Sequence, residues 1–205
     1  MAEPEASVLA SIDWMNGKQG LILGWHDYNT SISGDWADPD MARYRSRFGS
    51  RALLLQTSDG GVSWKLTMIP THGRFTRLQV LPTGLGLALM EIEGDAVRPS
   101  LAYRIEFGQS TMRAAFSQLE PVVTDVALLP DGTALLAGIE KHGSMPRLGA
   151  TRRAVILRST DLSRWEEMEL DYRAVASRMF LAPASDGSLW SATDTGMVFR
   201  LTAGR

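Results

Sequence analysis

At 205 residues, with 44% hydrophobic and 21% charged residues, the chain has the composition of a globular protein that buries a sizeable core. A formal net charge of −2 gives no global attraction to nucleic acid or anionic membrane, so neither is an expected partner. The absence of cysteine excludes disulfides, thiolate metal sites and thiol nucleophiles.

The N-terminal M-A-E-P-E-A-S is acidic and lacks the basic stretch and apolar core of a signal peptide. It predicts a cytoplasmic protein, or a periplasmic or secreted one whose signal has been removed. Apolar runs such as 53–55 and 85–90 are far too short to span a bilayer, so membrane insertion is not expected.

Runs of strand length then recur between turn signals, with no sustained helical period. In the first unit, 7–15 and 20–25 flank Asn16-Gly17, and further runs follow at 51–57 and 63–69. In the second, 77–81 and 85–91 flank Pro82-Thr83-Gly84, followed by 100–107 and 112–119. In the third, 124–129 and 133–139 flank Pro130-Asp131-Gly132, followed by 154–159 and 164–170. The fourth unit has 176–182 and 189–193 around Ser185-Asp186-Gly187, then 197–202, and no fourth run. Each pair reads as a hairpin whose residues suit a sheet covered on both faces.

The glycines Gly17, Gly84, Gly132 and Gly187 stand 67, 48 and 55 residues apart, and the first interval falls to 43 without the polar insertion 27–50. That period fits a four-stranded propeller blade. The rhythm predicts a single all-β domain over 1–205. Its fold is a β-propeller of about four blades with four-stranded antiparallel sheets, the last incomplete. The approximate blades are 6–70, 75–120, 122–171 and 174–205. The ring closes within one chain, forms part of a larger ring, or is completed by self-association or a second chain. An unpaired strand edge favours such association.

Within this rhythm, residues 57–64 read T-S-D-G-G-V-S-W. Gly60 and Gly61 permit positive φ, Asp59 accepts hydrogen bonds from its own turn, and Trp64 is expected to be buried. The stretch resembles an Asp-box, the S/T-x-D-x-G-x-T/S-W turn of BNR-repeat propellers, with Thr57, Asp59, Gly61, Ser63 and Trp64 in its positions. Ser159, Asp161 and Trp165 form a degenerate copy in S-T-D-L-S-R-W, one residue shorter and without the glycine. Units two and four lack the box. The stretch S-I-D-W-M-N-G-K-Q-G-L-I-L-G-W at 11–25 resembles blade openings in the photosystem II stability/assembly factor-like family. The resemblance implies that the box is a structural turn between third and fourth strands, and that Asp59 is not a catalytic acid.

In a propeller, first-to-second and third-to-fourth strand turns share one face, and the remaining loops share the other. The second set carries the insertions here, at 27–50, 92–99 and 140–153. Long loops on a rigid scaffold are where binding concentrates. The first insertion places Asp35, Asp38 and Asp40 around Trp36, then alternates Arg43, Arg45 and Arg47 with Tyr44 and Phe48. The reading is either a protein-gripping patch or a solvated loop whose charges pair internally. The Asp run lacks the ligand number and tight turn of a calcium loop. The third insertion brings Lys141, His142, Arg147, Arg152 and Arg153 to the same face, near Arg74, Arg98 and Arg173. They suit an anion or an acidic partner, or serve as solubilising charge. The partner-binding candidates are therefore Trp36, Arg43, Tyr44, Arg45, Arg47, His142, Arg147 and Arg152.

His26, His72 and His142 fall in or beside loops of that face without zinc-motif spacing, and are expected to be separate and solvated. No cofactor or metal is expected. No nucleophile elbow, P-loop or dinucleotide fingerprint is present. The expected function is a non-catalytic protein-binding or assembly module using the loop-bearing face, in the manner of an assembly factor or an inhibitor/immunity-type binder. The alternative is a carbohydrate-binding protein or sialidase-like glycoside hydrolase. Sialidases resemble this chain in repeat type, but the R-I-P-type motif is absent, and Arg98, Arg152 and Tyr172 take no assignable roles.

Overall fold

The computed structural model describes residues 6–27, 50–70, 73–92, 99–140, 152–170, 172–184 and 188–201. Among them every regular element is a β-strand, and the strands form four sheets in chain order. Sheet one is β1 (Ala6–Trp14), β2 (Gly20–Asp27), β3 (Ser50–Thr57) and β4 (Lys65–Pro70). Sheet two is β5 (Arg74–Val80), β6 (Leu85–Glu91), β7 (Ser100–Glu106) and β8 (Met112–Phe116). Sheet three contains β9 (Val122–Leu128), β10 (Ala134–Ile139), β11 (Arg152–Ser159), β12 (Glu166–Glu167) and β13 (Arg173–Ala174). Sheet four is β14 (Met179–Pro183), β15 (Leu189–Thr193) and β16 (Val198–Leu201). All pairings between neighbours are antiparallel. This is a β-propeller-type chain of about four blades, the last with three strands.

Local turn chemistry explains the hairpins. Pro82-Thr83-Gly84 and Pro130-Asp131-Gly132 close with the same pair of backbone bonds, Leu81 N to Leu85 O and Gly84 N to Leu81 O in one, Leu129 N to Thr133 O and Gly132 N to Leu129 O in the other. Between β1 and β2 the work is done by the Asn16 side chain, whose Oδ1 accepts from Lys18 N and Gln19 N at 2.9 Å. The Ser185-Asp186-Gly187 turn lies outside the described residues.

The first strands of the sheets sit side by side, β1 against β5, β5 against β9, and β9 against β14. Three apolar cores fill the spaces between successive sheets. Leu21, Leu23 and Leu54 pack with Phe75, Leu78 and Met90; Leu87, Leu89 and Phe116 with Val126 and Leu136; Ile139 and Ile156 with Met179 and Leu181. A first strand has an edge with no neighbouring strand, and its N–H groups need other acceptors. The preceding sheet supplies them. Ser11 Oγ and Asp13 Oδ2 accept from Leu78 N and Val80 N at 3.0 and 2.8 Å. Gln79 Oε1 accepts from Leu128 N at 2.7 Å, and Thr124 Oγ1 and Asp125 Oδ2 accept from Met179 N and Leu181 N, each at 2.8 Å.

Two expectations are corrected. Double coverage holds for β6 and β10, whose residues are almost all buried, but among the described residues sheets one and four pack on another sheet through one face only, although Leu53 on the other face of sheet one is also buried. They have a single neighbour each, since no strand of sheet four packs on sheet one as successive sheets do among the described residues. The run 164–170 is not one strand. Only Glu166–Glu167 and Arg173–Ala174 pair with β11, while Met168 N and Tyr172 O each make one bond between them. The period-two pattern survives there, because Met168, Leu170 and Tyr172 all turn onto the third core.

Candidate functional site

The two Asp-containing turns close by side-chain hydrogen bonds. Asp59 accepts from Thr57 Oγ1 at 2.8 Å, Ser63 N at 2.9 Å and Ser63 Oγ at 2.6 Å. Gly61 N donates to Thr57 Oγ1, and Gly60 N to Lys18 O, which ties this turn to the β1–β2 turn. Asp161 accepts from Ser159 Oγ, Ser163 N and Arg164 N. The shorter copy dispenses with glycine because Leu162 itself takes the left-handed conformation at φ 59°. That conformation costs a side-chain-bearing residue about 1–2 kcal/mol, offset by burying Leu162 in the core between sheets two and three.

The two tryptophans behave differently from each other. Trp165 Nε1 donates to Ala115 O at 2.8 Å and the ring meets Phe116 edge-on, joining sheet three to sheet two. Trp64 is half-buried rather than buried. Its indole donates to Gly61 O and meets Trp14 edge-on at 6.0 Å, so its neighbour is a residue of its own sheet on a face without a covering blade.

The Ser63 hydroxyl and amide, with Thr57, hold the exposed Asp59 carboxyl down at about 2, against an ordinary value of 3.8. A depressed carboxylate adds stability that is complete above its unfolded value and lost as pH falls through the folded one. Thermal melts between about pH 5 and pH 2 are therefore expected to fall more steeply for the wild type than for Asp59→Asn. Parallel curves for the two proteins would show that the turn does not depend on the charge.

The β2–β3, β6–β7 and β10–β11 connections, all long, leave from one edge of the sheet stack, while β15–β16 on the same edge is a tight turn through Gly196. Of the predicted partner-binding residues, only Arg152 lies within the described residues. It opens β11 at this edge, half-buried, opposite Ala174. Trp36, Arg43, Tyr44, Arg45, Arg47, His142 and Arg147 lie outside the described residues. The neighbouring Arg153 forks between Glu140 (2.9 Å) and Glu167, which hold its guanidinium well above its ordinary value. These two carboxylates engage it at the base of the β10–β11 connection. Arg74 lies over the Trp25 ring at 5.6 Å.

Nearer the centre, the structure assembles a polar cluster that the sequence analysis did not single out. Arg178, just before β14, pairs with Glu91 at the end of β6, which also accepts from Thr76 Oγ1 at 3.0 Å. Arg77 Nε lies 3.1 Å from Asp125, a buried carboxylate. Burial raises the Asp125 carboxyl, opposed by the Leu181 amide and Arg77. Asp194 accepts from Ser177 N and Oγ, chiefly the hydroxyl holding it below its ordinary value. The available signal was a carboxylate inside an otherwise apolar strand run, V-V-T-D-V-A-L.

The opposite, tight-turn edge carries a cavity of about 410 Å³ between sheets one and two, lined in part by Met15, Gln19, Thr83, Gly84, Arg104 and Phe107. His26, expected to be solvated, is buried and paired with Ser7 Oγ at 2.8 Å. His72 and His142 lie outside the described residues, as do Asp35, Asp38 and Asp40. Among the described residues, no three His, Asp or Glu side chains converge as a metal site. No helix among them is long and apolar enough to cross a membrane.

Fold and edges together define the class: a β-propeller-type chain with its long connections confined to one edge. No family model and no curated protein matches the chain. Among solved structures, that of YCF48 bound to D1 peptide is similar at 16% identity and a TM-score of 0.44, over 97% of this chain and 66% of that one. This chain thus spans 66% of that protein's length.

Proposed function

We propose that the chain is a non-catalytic protein-binding or assembly module, of the assembly-factor or inhibitor/immunity type, whose partner seats on the loop-bearing edge. The observation that carries this reading is the asymmetry of the connections. Three of the four second-to-third strand connections are long, whereas the turns on the opposite edge are short and, among the described residues, closed by hydrogen bonds. A stack of sheets with buried cores keeps those connections anchored at fixed separations, as a binding surface requires. In the same reading the turns at Thr57–Trp64 and Ser159–Trp165 are Asp-box turns that hold the scaffold. Their carboxylates are occupied by the hydroxyls and amides of their own turns.

Trp, Tyr and Arg supply most of the binding energy in protein interfaces. Combined replacement of Trp36, Tyr44 and Arg45 by alanine is expected to reduce partner binding at least tenfold, with the unfolding curve unchanged. Asp59→Ala is expected to do the converse. Partner affinity measured by calorimetry on both variants separates the readings: lost binding in Asp59→Ala with full stability would place the site on the turn edge instead.

A further inference from the structure

Among the described residues, the two end sheets each have an outer face on which no other sheet packs, and although Leu53 on that face of sheet one is buried, much of the apolar surface there is exposed. On sheet one, Ile12, Ile22, Leu55 and Leu66 lie opposite one another across β1 to β4, directed away from the side that packs on sheet two. Trp14 covers Gly20 beside them. On sheet four, Phe180, Ala192 and Val198 form one cross-strand row and Ala182, Trp190 and Arg200 the next, with the Arg200 guanidinium lying over the Trp190 ring at 5.7 Å, both rows directed away from sheet three. These are not residues at the margin of a core. Ile12 is 53% exposed, Leu66 48%, Phe180 44% and Val198 63%.

We propose that these two faces are the halves of one interface, and that the occupant of each is a second copy of this chain. Within the chain the same kind of contact, apolar sheet face on apolar sheet face, is made three times. Sheet four of one copy against sheet one of another continues that succession. The faces look in opposite directions along the arc, so the contact is heterologous, and a heterologous contact closes only if the arc returns on itself. Two copies bring together eight sheets, which is within the usual range of four to eight blades, whereas a third would exceed it. A two-copy ring covers both faces of both chains at once. The contact is more apolar than the internal ones. At the positions where Gln79 and Asp125 accept from the next blade, β14 presents Phe180 and Ala182, which carry no acceptor. Association therefore rests on apolar burial and is expected to persist in high salt.

Complementation tests the geometry. Sedimentation of the full chain is expected to give the mass of two 22.5 kDa copies. Ile12→Glu on sheet one and Phe180→Glu on sheet four are each expected to yield single copies with unchanged near-UV circular dichroism. Val198→Glu provides a second variant on sheet four should Phe180→Glu perturb folding. Mixing Ile12→Glu with either sheet-four variant is expected to restore a two-copy species, because one intact pair of faces remains. A single-copy wild type at all accessible concentrations would overturn the proposal. So would a two-copy protein insensitive to these substitutions, or variants that fail to complement, since faces that pair with themselves cannot be rescued by mixing.

Discussion

Asp125→Ala is expected to destabilise the chain by about 2–5 kcal/mol, through two orphaned amides and a lost ionic partner. The Asp125 carboxylate is buried on β9, where it accepts from Val126 N at 2.9 Å and Leu181 N at 2.8 Å and meets Arg77 of sheet two. One side chain therefore joins three successive sheets. Arg77 is 46% exposed and can recover hydration, so most of the loss falls on the amides of the buried residues Val126 and Leu181. Asp125→Asn is expected to cost less, about 1–3 kcal/mol, because one acceptor remains while the amide nitrogen faces a donor. Urea unfolding measures both, and an unchanged midpoint for the alanine variant would remove Asp125 from the inter-sheet account. A pH signature accompanies the loss. Burial raises the carboxyl, so the folded chain takes up its proton more readily than the unfolded one, and stability from this group grows as pH falls into the carboxylate range. That sign is opposite to Asp59. Removing Asp125 is therefore expected to steepen the acid-side loss.

Phe75→Ala is expected to cost about 3–5 kcal/mol, the range for emptying a large aromatic site in a core. Phe75 is fully buried between Leu21, Leu23 and Leu54 of sheet one and Leu78 and Met90 of sheet two, and its ring meets Tyr103 edge-on at 5.7 Å. The cores between sheets one and two and between sheets three and four share no residue. In a fold built of successive units, instability stays near the affected junction. Amide exchange is expected to accelerate first in β1 to β8, with the strands of sheet four protected until global unfolding. Uniform acceleration throughout would show that the four sheets open as one unit. Phe75→Leu retains most of the volume and is expected to lose about 1 kcal/mol.

Strand positions were legible because the turn chemistry that separates them is local. Pro82-Thr83-Gly84 and Pro130-Asp131-Gly132 close with bonds spanning at most five residues, and Thr57, Asp59, Gly61, Ser63 and Trp64 bond to one another within eight. The run 164–170 was overread for the same reason. Alternation shows which side chains share a face, but not whether the backbone stays within bonding distance of β11. The loop-bearing edge was legible from connection lengths, whereas the central cluster of Arg77, Glu91, Asp125 and Arg178 was not. Its members come from three different sheets, and Arg178 meets Glu91 across 87 residues of chain.

The sequence by itself determined the β class, the fourfold rhythm of the units and the role of Asp59 in closing its own turn, since all of these follow from spacing within a few residues. Only the tertiary structure decided that Leu162 takes the place of a glycine, that Asp125 joins three sheets, and that among the described residues no other sheet packs on the outer faces of sheets one and four. Those outcomes depend on how successive sheets stack. An apolar strand reads the same whether its second face meets another blade or solvent, because the alternating pattern records that a side chain is apolar, not what covers it.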